Sequence, residues 1–325
     1  MARGGQRYAA HVNGERPSGG PSGEETATKT GGKLLAAILA LVLGALAPTG
    51  CGLFGQDEVL RLGNIGWDEN VAVSNLTKAL LEDELAYELV EISNAPDLDS
   101  TYRDVASGEL DAFQDVWLPN QEDFLDEVAG EVEHLDPWFL GETKQGMAVP
   151  AYMDASSIDE LNGTEARFIF GIEPSSAVMR EVVGGDAGGV IPAYGLEQKL
   201  VQAPTAGMLA EVGRRYAVRE EFAFLAWSPH WMNLRFDIRY LEDPKDAMGE
   251  TNDPAECSTI VNEDLQEEDP AAHAFMDALE LTEDQINGLE QAINEEGDPL
   301  AGARRWVSEN REVVRPWLEA ARNAR

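Results

Sequence analysis

The chain has 325 residues, of which 24 are Lys or Arg and 60 are Asp or Glu, for a net charge of −36. Such an acidic balance argues against nucleic acid and against anionic lipid headgroups as partners, because both would meet a repelling field. With 43% apolar residues there is material for one or two buried cores, and nothing in the composition describes a disordered polymer.

The first fifty residues differ in kind. They are polar and rich in Gly, Ser and Thr up to Lys33, apolar from Leu34 to Leu46, and then run Ala47-Pro48-Thr49-Gly50-Cys51. A basic flank, a short apolar stretch and small residues before a cysteine describe an export signal over residues 1–50, and the apolar stretch is short for a membrane span. Cys51 stands where a lipoprotein signal places its acylated cysteine, which would hold the protein at the outer face of the cytoplasmic membrane, with residues 51–56 as a linker. Two departures are a long region before Lys33 and Pro48 in a place usually held by Leu; a plain signal or a single anchor helix is the alternative. Removing residues 1–50 takes away five basic and three acidic residues and leaves 19 against 57, a net charge of −38. That surface serves solubility, suits a saline setting and favours the approach of cations. With Cys51 acylated, Cys257 is the one thiol left, so it reads as a small packing residue without a disulfide partner.

Residues 57–66 read as a strand, 70–85 as an amphipathic helix, 88–92 as a second strand, 101–107 as a short helix ended by Gly108, and 110–116 as a third strand. This βαβαβ order predicts a parallel sheet with helices on both faces. A further strand ends at Pro150. The order then repeats: a strand over 167–171, a helix opened by Pro174-Ser175-Ser176 and broken by the glycines of 184–189, a strand over 200–202, a helix over 206–216 and a strand over 221–227. Strands are expected again at 236–241 and 258–261, the second rejoining the first sheet, and helices at 271–279, 282–295 and 299–321, the last kinked or broken at Pro316. The reading is an α/β protein of two hinged lobes around a cleft. The first is built from 57–149 plus 254–325 and the second from 150–253, joined by crossings near 149–153 and 241–253.

Three tryptophans follow short apolar runs: Trp67, Trp117 and Trp227. If those runs are strands of open α/β sheets, the indoles stand at carboxyl ends, where such folds bind ligands. Two continue into the same step, Trp117-Leu118-Pro119 and Trp227-Ser228-Pro229. Each alone would be taken for a core residue, but the shared setting suggests an aromatic cage for a quaternary ammonium ion, whose diffuse charge and lack of N–H donors suit π faces.

Six blocks in order strengthen this reading: Ile65-Gly66-Trp67-Asp68-Glu69, Val116-Trp117-Leu118-Pro119-Asn120, Val149-Pro150-Ala151-Tyr152-Met153, Phe170-Gly171-Ile172-Glu173-Pro174, Ala226-Trp227-Ser228-Pro229-His230-Trp231 and Tyr240-Leu241-Glu242-Asp243-Pro244-Lys245. Across roughly 57–320 the chain resembles the substrate-binding components of glycine betaine and choline ABC importers. The resemblance implies a type II periplasmic-binding-protein fold, an extracytoplasmic monomer, no cofactor, and delivery of ligand to a membrane permease served by an ATPase subunit. It places Trp67 and Trp117 on the first lobe and Trp227 on the second as cage residues, with backbone amides at Gly171 and Ile172 on the ligand carboxylate. Ser175 or Ser176 could add to that end or serve as a plain N-cap. Betaine binders of this kind carry a histidine where this chain has Glu122, while Glu69 stands where choline binders have an aspartate; those choline binders also have an aromatic residue near Gln145. The pocket therefore matches neither subtype fully, and betaine, choline, carnitine or a related cation stay open.

His230 and Tyr152 read as structural, Trp231 as packing beneath the cleft, and Trp138, Trp306 and Trp317 as core. His11, His134 and His273 have no spacing that makes a metal site. The competing class is a secreted hydrolase using Asp115 and Glu122 beside a sugar-stacking Trp117. Against it, the chain has no Gly-x-Ser-x-Gly elbow, His-Glu-x-x-His helix or phosphate loop.

Overall fold

The computed structural model describes residues 59–184 and 188–325, so the expected signal, Cys51 and the linker lie outside the described residues. The chain runs through β1 (Val59–Asn64), α1 (Asp68–Leu85), β2 (Leu89–Asn94), α2 (Leu98–Ala106), β3 (Ala112–Leu118), α3 (Glu122–Glu127), β4 (Val132–His134) and β5 (Phe139–Leu140). It continues with β6 (Lys144–Pro150), β7 (Phe168–Gly171), α4 (Ala177–Val183), α5 (Val190–Tyr194), β8 (Lys199–Gln202), α6 (Thr205–Ala217), β9 (Ala223–Ser228), α7 (Met232–Arg235) and β10 (Ile238–Tyr240). Last come β11 (Glu256–Asn262), α8 (Leu265–Glu268), α9 (Pro270–Asp277), β12 (Leu281–Thr282), α10 (Glu283–Glu296), α11 (Pro299–Glu309) and α12 (Arg311–Ala324).

Two five-stranded sheets result. The first has the order β2-β1-β3-β11-β4, with β1, β2 and β3 parallel and β11 returning antiparallel between β3 and β4. The second has the order β10-β6-β9-β7-β8, parallel through β9, β7 and β8 and antiparallel at β6 and β10. The repeated α/β order and the late return to the first sheet are therefore present. Strand β6, drawn from the sequence into the first lobe up to residue 149, instead pairs from Lys144 onward with β9 in the second sheet. The first passage between sheets thus lies between β5 and β6, not near 149–153. There Thr143 Oγ1 donates to the Ala255 carbonyl at 2.9 Å and accepts the Ala255 N–H at 2.5 Å, tying the outward passage to the returning one.

Local signals explain most helix ends. Asp97, Asp269 and Asp298 accept backbone N–H groups at the starts of α2, α9 and α11, the latter two with Pro in the first turn, and Thr282 with Gln285 forms a capping box on α10. The predicted break at Pro316 falls instead at Asn310, which separates α11 from α12. Asn310 donates its Nδ2 to the Trp306 carbonyl at 2.8 Å, replacing the backbone bond that would have carried the helix onward. Pro316 lies on the exposed side of α12, where the Glu312 carbonyl it leaves unbonded can meet water. Strands β4, β5 and β12 were not anticipated; two or three residues carry no readable alternation.

Trp138 sits at the centre of the first lobe with no exposed surface, its Nε1 shared between the carbonyls of Gln114 and Ser258 at 3.1 Å each, which locks β3 to β11. Helix α11 approaches α10 so closely at Gly302 that a Cβ there would lie 2.4 Å from Ile293 Cα. Gly302→Ala is therefore expected to lower stability by ~1–3 kcal/mol, the usual cost of overpacking, as read from the urea midpoint of the purified protein.

Candidate functional site

The turn from β1 into α1 is held by two asparagines. Asn64 Oδ1 accepts the Gly66 N–H at 2.8 Å and Asn70 Oδ1 accepts the Ile65 N–H at 2.9 Å, while Gly66 takes φ 88°, a conformation glycine adopts freely. Trp67 follows as the N-cap of α1 without using its side chain to cap, which leaves the indole free to project. Trp117 and Trp227 are the penultimate residues of β3 and β9, and both following X-Pro bonds, Leu118-Pro119 and Ser228-Pro229, are cis.

All three indoles line one cavity between the two sheets, about 420 Å³ with its open mouth included, and they are 7%, 2% and 5% exposed in chain order. Their N–H edges are occupied. Trp67 Nε1 donates to Glu173 Oε2 at 3.2 Å, Trp117 Nε1 to Asp115 Oδ1 at 2.7 Å, and Trp227 Nε1 to Glu69 Oε2 at 3.1 Å. A ring held by its edge cannot spin, so its orientation is fixed before a cation arrives.

The structure brings together Trp67, Trp117, Trp227, Glu69, Ile172 and Ser176 of the residues singled out above. Ser176 caps α4, its Oγ donating to the Glu173 carbonyl at 3.0 Å and accepting the Met179 N–H at 3.4 Å. Gly171 ends β7 and is not among the lining residues, and neither is Glu122, which begins α3 as an exposed side chain. The residue that turns inward there is Gln121, whose backbone N–H returns to the Trp117 carbonyl at 2.8 Å and whose Oε1 accepts the Tyr102 hydroxyl at 2.8 Å. Asp115 is fully buried while Glu122 is exposed, so the pair expected of a hydrolase does not face one cleft.

The electrostatics are one-sided. Among the described residues no lysine, arginine or histidine lines the pocket; its polar side chains are Glu69, Asn120, Gln121, Gln145 and Ser176. Burial, with Asp115 and Glu290 as neighbouring acids, pushes the Glu69 carboxyl well above the usual range, against the opposing Trp227 hydrogen bond. Burial raises Asp115 to about 7 despite the hydrogen bond from Trp117. Glu290 of α10 is likewise raised, first by burial and then by Asp68, while it accepts the Trp231 N–H at 2.7 Å.

Asp68 behaves oppositely. Burial pushes it up, but the hydrogen bond and charge of His230 and the Trp231 indole N–H at 2.7 Å outweigh that and leave it below the ordinary value. His230 Nε2 lies 3.3 Å from Asp68 Oδ2, and its Nδ1 accepts the Met232 N–H at 3.0 Å, an arrangement that needs Nδ1 without a proton. With Asn120 Nδ2 on Gln145 Oε1 at 3.2 Å, these bonds close the two halves around the pocket.

Sequence reasoning missed Asp115 as a pocket support, and also Gln121, Glu173 and Glu290. For Asp115 a signal existed: it precedes Trp117 by two residues in a strand, so both side chains share a face. Glu290, more than two hundred residues from Trp67, carries no such signal.

Similarity to known proteins agrees with this geometry. The glycine betaine/carnitine transport binding protein GbuC of Listeria monocytogenes is 27% identical over 121 residues, 37% of this chain and 39% of that protein, so the match spans about two-fifths of that curated relative. Among solved structures, lactococcal OpuAC in a closed, liganded conformation with glycine betaine is 28% identical with a TM-score of 0.68, covering 80% of this chain and 99% of that one. The glycine betaine/L-proline-binding protein ProX of Borrelia burgdorferi is 26% identical with a TM-score of 0.70, covering 80% and 96%. An ABC-transporter choline binding protein in complex with choline shares the fold at 23% identity and a TM-score of 0.67, over 82% and 94% of the two chains. The fold is thus the two-lobed type II periplasmic-binding-protein fold. Residues 58–309 match the OpuAC family, described as the substrate binding domain of the ABC-type glycine betaine transport system, and the chain belongs to that family.

Proposed function

We propose that this chain captures a quaternary ammonium solute outside the cytoplasm and delivers it to an ABC permease driven by an ATPase subunit. The observation that carries the reading is the convergence of three indoles, from both sheets, on one cavity whose walls, among the described residues, hold one acid, Glu69, and neutral amides but no base. A trimethylammonium head offers no N–H to those acids, so it is held by π faces and by long-range attraction, while water is excluded by closure.

Glycine betaine and choline are the two leading ligands, with carnitine next. For betaine the carboxylate would be received by neutral donors that line the pocket: the backbone N–H at Ile172 and the amides of Asn120, Gln121 and Gln145. For choline the hydroxyl needs only one acceptor, which Glu69 supplies. Residues 144–253 form the middle lobe in this scheme and the flanking segments the other, with Cys51 as the lipid-bearing residue of a monomer held at the membrane and no cofactor. No helix among the described residues is long and apolar enough to cross a membrane.

Isothermal titration of the purified protein at pH 7.5 with glycine betaine, choline and carnitine is expected to give heat with at least one of them, accompanied by a change in tryptophan emission as the cage fills. Silence with all three would remove the reading. Trp117→Ala is expected to weaken that binding by ~1–2 kcal/mol, one desolvated cation–π contact, or roughly 5- to 30-fold in Kd. Glu122→His, on the exposed start of α3, is expected to leave the betaine-to-choline preference within about twofold, as suits a solvated charge outside the pocket.

A further inference from the structure

Beneath the cage three carboxylates crowd together with no base among them. Glu69 comes from the first turn of α1, Asp115 from the middle of β3 and Glu290 from α10, and all three are at most 2% exposed. Each spends one oxygen on a tryptophan: Glu69 on the Trp227 indole, Asp115 on the Trp117 indole, Glu290 on the Trp231 backbone N–H. The other oxygens of Asp115 and Glu290 are buried without any hydrogen-bond partner. An ionised carboxylate left half unsatisfied in a dry interior is unfavourable, so the empty site keeps protons on this group.

Resting on the quaternary ammonium reading above, we propose that Asp115 and Glu290, which do not line the pocket, set its charge selectivity: a ligand of net charge +1 drives a proton from the buried acids into solvent as it binds, and a zwitterion does not. The balance is simple. A protonated carboxylic acid plus a cation gives a carboxylate paired with the cation plus one proton released to buffer. A zwitterion brings its own carboxylate into the closed pocket, and ionising a second acid beside it adds repulsion, so the proton stays.

Among the described residues the titratable groups around the cluster are mostly acids. Facing Glu69 and Asp115 are Glu290 from α10, Tyr102 from α2 with its hydroxyl on Gln121, the buried Cys257 thiol of β11 opposite Trp117, and Asp68 on the turn of α1 beside Glu69. From the second lobe come Glu173, bonded to Trp67 and Thr205, and His230, whose Nε2 faces Asp68. Raised carboxyls shed their protons only as the pH climbs; Asp115 does so around 7, so the linkage operates at and below neutrality. In this window cation affinity rises with pH, because deprotonation no longer has to be driven by the ligand, and it levels off once the acids are ionised in the empty site.

The test is isothermal titration of choline and of glycine betaine at pH 5.5, 6.5, 7.5 and 8.5, each in two buffers of different ionisation enthalpy so that released protons are counted. Choline is expected to tighten about tenfold or more between pH 5.5 and 7.5, since one linked proton is worth up to tenfold per pH unit, with net proton release that fades by pH 8.5. Betaine is expected to change less than about threefold, with no release. Asp115→Asn, which keeps an acceptor for the Trp117 N–H, should flatten the choline profile, and Glu290→Gln should do so in part. Equal pH dependence for the two ligands, absence of proton release with choline, or an unaltered slope in Asp115→Asn would overturn the proposal, and the first two readings use the unmodified protein. Binding of either ligand with a flat profile would leave the solute-capture reading standing while removing this one; no binding of either at any pH would remove both.

Discussion

The constraint on which the site depends is the pairing of indole N–H groups with carboxyl groups, those of Glu69 and Asp115 buried and that of Glu173 half-buried. An indole donates one hydrogen bond from its edge, and when Glu173, Asp115 and Glu69 accept those bonds the three rings that line the common void are fixed in rotation. The acids gain from the indoles in turn: among the described residues the Trp117 N–H is the one side-chain donor to the Asp115 carboxyl, whereas Glu173 also accepts the N–H and hydroxyl of Thr205. Two of the three pairs join the sheets: Trp67 of the first lobe reaches Glu173 of the second, and Trp227 of the second reaches Glu69 of the first. The bonds that hold these two rings are thus the same bonds that tie the two sheets together across the cavity.

A second set of contacts reinforces closure from behind. The loop after β9 sends Trp231 and His230 against the first turn of α1, where Asp68 receives the Trp231 indole and lies beside the His230 ring, and the Trp231 backbone binds Glu290. Two successive acids on one helix therefore serve different surfaces. Asp68 is stabilised as an anion by donors that outweigh its burial, while Glu69, one residue on, is driven toward its neutral form by burial and by other acids. The same side-chain chemistry is split by environment, which is how a small segment both clamps a lobe and shapes a binding floor.

Much of the fold was legible because the hydrophobic period changes cleanly along the chain. The βαβαβ opening, the repeated α/β order and the strand near 258–261 were readable from short segments rich in apolar residues separated by caps and glycines. What escaped has physical reasons. Strands β4, β5 and β12 are held by tertiary pairing and not by their own pattern; β6 joined the second sheet because pairing from Lys144 to Ala148 with β9 is decided by partners distant in sequence. Pro316 looked like a helix breaker, yet Asn310 was the stronger one through its side-chain bond to the Trp306 carbonyl. At the site, the tryptophans were readable from their strand-end setting, whereas the exchange of Gln121 for Glu122 turns on which side chain a tight turn points inward, and Glu290 enters only through long-range packing.

The paired hydrogen bonds between Thr143 and Ala255 carry a mechanical consequence. The outward and homeward chains are joined side by side at that point, so sliding one past the other would break both bonds. A change in the angle between the two sheets that keeps them has to come from bending of the chain on either side of this point.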